Sequence, residues 1–141
     1  SDWSSDVCSS DLEKYDPENR DFKPSDEFMS KLKSKDWGRW AVAMPSGKKA
    51  VAPPYGSAPV GSMPADFLTD NDITGGNSGS PVLNAEGKVI GLAFDGNKES
   101  LASDLYAVPD YNKCVCVDIR YVLWTLDKYA GMSRIIEELG L

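Results

Sequence analysis

A mainly β fold with flanking helices is what the sequence predicts, and three stretches predict it. Ser80–Leu83 and Lys88–Phe94 are strand candidates joined by Asn84-Ala85-Glu86-Gly87, a tight hairpin turn. Lys113–Asp118 alternates through Cys114, Val115, Cys116 and Val117, as a mostly buried strand does. Ile119–Leu139 repeats Val122, Leu123, Leu126, Ala130, Ile135, Ile136 and Leu139 at helical spacing, with Gly131 weakening its middle.

In chain order, Ser1–Leu12 reads SDWSSDVCSSDL, with two Ser-Ser pairs, three Asp and no helical or strand period. It has neither the basic start nor the apolar middle of a signal peptide. Asp2–Leu12 matches the translation of a common sequencing adapter, so residues 1–12 are read as an artefact, and the chain as the C-terminal piece of a longer protein. The competing reading is a natural polar tail. Glu13–Pro24 is charged and carries two prolines, a surface loop. Ser25 is an N-cap candidate for a helix from Asp26 to about Lys35, with Phe28 at N3 and Met29 and Leu32 on an apolar face. Trp37 and Trp40 are expected to pack on a neighbouring surface. Ser46–Pro64, with Pro53, Pro54, Pro59 and Pro64, reads as a long surface loop. Ala65–Thr69 is a short strand candidate and Thr74–Ser80 a Gly-rich turn.

Composition excludes several classes of function. The chain has 141 residues, enough for one domain, and its 41% hydrophobic content is too high for a disordered chain. Its net charge is −7, or −4 once the three acidic residues of 1–12 are set aside. Such a balance disfavours a nucleic-acid partner, because no basic stripe exists to displace phosphate counterions. No apolar run approaches the roughly 18 residues of a membrane span. There is no histidine, so this chain alone supplies neither a Ser-His-Asp triad nor a His-ligated metal. Cys114 and Cys116 share one strand face and would strain a mutual bridge. They read as small buried apolar residues, and a C-x-C metal site would need ligands that are missing.

The chemistry concentrates in Gly75-Gly76-Asn77-Ser78-Gly79-Ser80-Pro81. A nucleophilic serine needs an exposed Oγ on a tight turn and backbone N–H groups converging on the substrate carbonyl oxygen. Glycines on both sides permit the backbone angles and clear the substrate path. An ordinary Gly-Ser turn is the competing reading of the heptapeptide alone.

Longer segments carry a resemblance. Asn71–Asn84 (NDITGGNSGSPVLN), Gly91–Asn97 (GLAFDGN), Val117–Leu123 (VDIRYVL) and Lys35-Asp36-Trp37-Gly38-Arg39 are similar to the C-terminal region of bacterial serine dipeptidyl peptidases. The resemblance covers nearly all of Glu13–Leu141. It implies that 13–64 leads into, and 65–141 forms the C-terminal part of, the second β-barrel of a chymotrypsin-like double-barrel protease with its closing helix. It also implies release of N-terminal dipeptides through an acyl-enzyme on Ser78, with no cofactor.

Within this resemblance, Ser78 matches the nucleophile, and the Gly76 and Ser78 amides match the oxyanion hole. Asn77 stands where trypsin-like enzymes carry the Asp of their zymogen switch, which implies that no such switch operates. Asp95 matches the carboxylate that holds the substrate's free α-amino group; a solvated residue in an Asp95-Gly96-Asn97 turn is its competing reading. Gly96 lies at the mouth of the pocket for the residue before the cleaved bond, where an Arg accompanies Asp/Glu preference in the family. A glycine there implies apolar preference. Lys98 departs from the aromatic residue usual after Gly-Asn. Asp72, six residues before Ser78, has the offset of a trypsin pocket Asp, but the family keeps it whatever its specificity. Asp118 reads as a helix N-cap in preference to a triad member.

The resemblance further implies a secreted, periplasmic or cell-surface enzyme of a Gram-negative bacterium, a homodimer at full length, acting on peptides with free N-termini. The His and Asp partners would come from outside this chain, leaving it inactive alone. A trypsin-like endopeptidase and a non-catalytic binding module on the same barrel are the alternatives.

Overall fold

The computed structural model describes residues 4–6, 16, 18–20, 23–42, 59–98 and 112–141, the first three by backbone alone. Most of the expected loop over Ser46–Pro64 lies outside the described residues. Five antiparallel strands form one sheet in the order β1-β2-β5-β4-β3. They are β1 (Ser4–Asp6), β2 (Pro64–Thr69), β3 (Pro81–Leu83), β4 (Val89–Gly96) and β5 (Cys114–Asp118). Helix α1 (Asp26–Ser34) precedes β2, and α2 (Ile119–Trp124) and α3 (Ser133–Glu138) follow β5.

Local chemistry sets several boundaries. Ser25 Oγ accepts the Phe28 amide at 3.1 Å and caps α1, satisfying one of its free N–H groups. Asp118 caps α2 through the Arg120 amide at 2.8 Å, and its carboxylate also takes two hydrogen bonds from the Arg120 guanidinium. Asp118 is fully buried, and this bidentate pairing satisfies a charge that would otherwise be costly there. In the β3–β4 hairpin, Asn84 Oδ1 accepts the Glu86 and Lys88 amides, while Gly87 takes φ +75°, a left-handed conformation that side chains resist.

Two clusters hold the fold together. In the first, α1 and a short 3₁₀ turn at Gly38–Trp40 meet α2 over the start of β2, burying Leu32, Trp37, Trp40, Met63, Leu123 and Trp124. The Trp124 ring lies edge-on to Trp37 at 5.2 Å, and its Nε1 donates to the Asp36 carbonyl at 3.0 Å. Trp40 Nε1 donates to Asp127 at 2.8 Å. Each indole thus buries a large apolar surface and still satisfies its one donor. The second cluster joins Phe67, Ala93, Cys114 and Cys116, with Ile73 and Val82 packed against it from the chain flanking the Gly-rich turn.

Four expectations need correction. The helix over Ile119–Leu139 is not continuous. After α2 the chain widens into a π-helical turn at Thr125–Tyr129, breaks at Gly131 (φ +63°), and restarts as α3. The Ala130 amide reaches five residues back to the Thr125 carbonyl, which loosens the last turn. Ile136 is buried, but Ile135 and Leu139, expected on the same apolar face, are 40% and 57% exposed because the break rotates α3. Ser4–Asp6, expected to be irregular, pairs with β2; a three-residue edge strand takes its order from its partner and needs no period of its own. Pro64, assigned to the loop, opens β2, the strand position where a missing N–H costs least. Strand β4 continues through Asp95 and Gly96, so Asp95 is a strand and not a turn residue, although it is exposed to solvent as its competing reading expects.

Candidate functional site

The Gly-rich turn runs from Thr74 to Ser80 between β2 and β3, and its downstream half is tied to β4. The Gly79 amide donates to the Ala93 carbonyl at 2.7 Å, and the Ala93 amide returns to the Ser80 carbonyl at 2.9 Å. Gly76 (φ +95°) and Gly79 (φ +88°) flank Asn77 and Ser78 in left-handed conformations open to glycine and strained for other residues. Between them Ser78 is exposed. Among the described residues, neither the Gly76 nor the Ser78 amide donates to another protein group. Two free donors beside an exposed hydroxyl are what stabilising a substrate oxyanion requires.

The Ser78 hydroxyl donates to the Phe94 carbonyl at 3.1 Å. Phe94 is the extra residue of a β-bulge, since Ala93 pairs with Cys116 and Asp95 already pairs with Val115. Such a bulge re-aims the side chains that follow it. Ala93 is buried, while Phe94 and Asp95 are exposed. One Asp95 oxygen accepts the Gly96 amide at 2.8 Å. The other has no protein partner among the described residues and is open to a cation. Gly96 closes β4 opposite Cys114.

The structure therefore brings Ser78, Gly76 and the Phe94–Asp95 bulge to one surface. Asp72 lies elsewhere: with Asn71, Asn77, Val82, Ala93 and Cys114 it lines a cleft of about 390 Å³ behind the turn, and Ser78, Asp95 and Gly96 are not on its wall. Asp118 is at the far end of β5, opposite Gly91, and serves α2. Cys114 and Cys116 are free and buried, with their sulfurs 3.5 Å apart. Burial, first, and the hydrogen bond with Cys114 push the Cys116 thiol up to about 12, so it stays protonated and is a poor nucleophile. At the mouth of the β2–β5 pair, Lys113 bonds to Asp70 and holds its carboxyl below the usual carboxylate range. Among the described residues no group of three potential metal-ligating side chains gathers, and no helix is long and apolar enough to cross a membrane.

Sequence reasoning missed two parts of this surface. The bulge at Phe94 depends on the register with β5, which no local pattern encodes. The side-chain bonds from Thr74 to Asn77 Oδ1, at 2.8 and 3.2 Å, were readable from Thr-x-x-Asn, because Asn commonly bonds nearby backbone in turns.

Known proteins are similar to this chain in sequence and fold. The family model described as Peptidase S46 matches residues 11–141. The chain is 44% identical over 130 residues to a dipeptidyl-peptidase 7 of Phocaeicola vulgatus, covering 92% of this chain and 16% of that protein. It is 38% identical over 128 residues to an Asp/Glu-specific dipeptidyl-peptidase of Porphyromonas endodontalis, covering 91% and 16%. The crystal structure of Porphyromonas endodontalis DPP11 in complex with substrate superposes with a TM-score of 0.79 at 35% identity, over 97% of this chain and 18% of that one. The chain thus spans about a sixth of the length of the curated relatives it matches.

Proposed function

Because this chain belongs to the peptidase S46 family, we propose that it carries the nucleophile of a serine exopeptidase that releases N-terminal dipeptides. One observation carries the reading: the exposed Ser78 hydroxyl donates to the Phe94 carbonyl, immediately before Asp95, on a turn whose Gly76 and Ser78 amides donate to no protein group among the described residues. Ser78 attacks the carbonyl of the second substrate residue, and the Gly76 and Ser78 amides take the charge on its oxygen. A base from another part of the polypeptide removes the Ser78 proton, since this chain has no histidine. The base passes that proton to the leaving amine as the peptide bond breaks, and water, deprotonated by the same base, then attacks the ester, releasing the dipeptide and returning the proton to Ser78. The open Asp95 oxygen pairs with the substrate's free α-ammonium, so a chain continuing past that point meets an unpaired carboxylate and is rejected.

In this reading the sheet is part of the second barrel of a chymotrypsin-like double barrel. Gly96 offers the preceding-residue pocket neither charge nor bulk, which supports an apolar preference. Relatives named dipeptidyl-peptidase 7 and relatives named Asp/Glu-specific both match the chain, so an acidic preference is the second reading; the absence of a cationic side chain at Gly96 weighs against it. A homodimeric, periplasmic or cell-surface enzyme of a Gram-negative bacterium completes the proposal, on the strength of the family resemblance.

The test uses the full-length peptidase, a serine-reactive phosphonate, and dipeptide substrates with free and blocked N-termini. The expected result is an adduct on Ser78 that Ser78→Ala abolishes, with cleavage confined to free N-termini. Equal cleavage of blocked substrates would favour an endopeptidase, and no adduct would favour a binding module.

A further inference from the structure

We propose that Thr74 is a positioning residue for the oxyanion site, acting through Asn77, and that Asn77 must be uncharged to serve there. This rests on the peptidase reading above. The downstream half of the nucleophile turn is fastened to β4, but the upstream half is not. A Cβ added at Gly75 or Gly76 would meet nothing within 4 Å, so no packing holds this pair. What fixes it, among the described residues, is a ring of three bonds between Thr74 and Asn77. The Thr74 amide donates to Asn77 Oδ1 at 2.8 Å, the Thr74 hydroxyl donates to the same oxygen at 3.2 Å, and the Asn77 amide returns to the Thr74 carbonyl at 3.2 Å. Gly75 and Gly76 are the residues enclosed. The ring therefore sets the direction of the Gly76 amide, one of the two oxyanion donors. A donor that is aimed before substrate arrives stabilises the transition state without reorganising during the reaction.

Both side-chain bonds end on an oxygen, so a carboxylate at position 77 would close the same ring. It would also put a negative charge beside the place where the oxyanion forms. The side chain's amide keeps the acceptor and removes that charge. Asp72 and the Cys114 thiol are the titratable groups sharing the cleft with Asn77, and Asp95 stands beyond Phe94 on β4. Among the described residues, no cation lines this cleft to offset an added charge.

The experiment compares wild type, Thr74→Val, Thr74→Ser and Asn77→Asp in the full-length peptidase, by steady-state cleavage of a free dipeptide substrate across pH, with melting temperatures measured in parallel. Thr74→Val is expected to lower kcat about 3–10-fold, the loss of one hydrogen bond, with KM within about twofold and melting unchanged. Thr74→Ser keeps the hydroxyl and restores kcat. Asn77→Asp keeps the ring, lowers kcat on the order of 10-fold through repulsion, and moves the acidic limb of kcat/KM to higher pH, because its charge stabilises the protonated base. A merely structural turn would leave that limb in place. Unchanged kcat in Thr74→Val, failure of Thr74→Ser to restore it, or an unmoved acidic limb in Asn77→Asp overturns the proposal while the peptidase reading stands. Wild-type protein that neither releases dipeptides nor labels at Ser78 overturns both.

Discussion

The Ser78 hydroxyl donates to the Phe94 carbonyl across 3.1 Å, joining the Gly-rich turn to the bulge in β4. The bond holds the serine proton on a backbone oxygen, where it gives Oγ no nucleophilic activation. In the proposed mechanism, the base must win that proton from Phe94. The same bond fixes the distance along β4 from the hydroxyl to the next residue, Asp95. In the proposed reading, turn and strand thus act as a ruler between the bond to be cut and the substrate's first amino group.

That ruler makes Asp95 separable from catalysis. Asp95→Asn keeps an oxygen for the Gly96 amide and removes the charge that the proposal sets against the substrate's ammonium. The expected outcome is a fall in kcat/KM for free dipeptide substrates of about 10–150-fold, from the loss of a charge-assisted hydrogen bond of about 1.5–3 kcal/mol. Cleavage of blocked substrates should rise or stay level. Competition between free and blocked substrates in one reaction measures the ratio directly; an unaltered ratio would remove Asp95 from amine recognition.

Gly91 is a glycine for a different reason from those in the turn. A Cβ there would sit 2.5 Å from the Val117 carbonyl and 2.6 Å from the Phe67 ring. The carbonyl belongs to the β4–β5 ladder and cannot withdraw without breaking it. Gly91→Ala should therefore cost ~1–3 kcal/mol, as overpacking does, read as a lower denaturation midpoint with Ser78 labelling intact in the fraction that remains folded.

Elements whose cause is local were legible in the sequence. The caps at Ser25 and Asp118 each need one side-chain oxygen and an amide two or three residues on, and the hairpin turn needs only Asn84 and Gly87. The Gly-rich turn was legible because its glycines and serine lie within seven residues. What escaped depends on partners distant in sequence. The bulge at Phe94 exists only against β5, and the demand on Gly91 comes from Phe67, 24 positions away. The broken terminal helix was half visible in Gly131, but apolar spacing continues through it, and spacing alone could not choose between a weakened helix and two short ones.

The paired thiols predict a pH dependence. The Cys116 thiol ordinarily titrates near 9.0, and burial raises it to about 12 in the folded chain. Unfolded chain therefore releases this proton from about pH 9 upward while folded chain retains it. The stabilisation is complete below pH 9 and is lost progressively as pH climbs towards 12. Unfolding free energy measured from pH 8 to 11 should fall across this window, and less steeply in Cys116→Ala, which lacks the group; other side chains titrating there are common to both proteins. Equal slopes would mean the thiol is accessible enough to ionise in the folded state.

Gly96→Arg addresses the side chain that the peptidase selects. Gly96 ends β4 directly opposite Cys114, and with no side chain it presents only backbone to a substrate residue lying beside it. An apolar side chain loses nothing there, whereas a carboxylate gives up its hydration without gaining a partner. A guanidinium at this position supplies two parallel donors matched to a carboxylate and sets a cation against an apolar side chain. The ratio of kcat/KM for Glu over Leu before the cleaved bond should rise on the order of 100-fold, from both terms together. Dividing the change between them needs each substrate alone: repulsion of the apolar side chain lowers the Leu value, and pairing raises the Glu value. If neither moves, the pocket is not at Gly96, and the cleft behind the turn that Asp72 lines becomes the surface to mutate next.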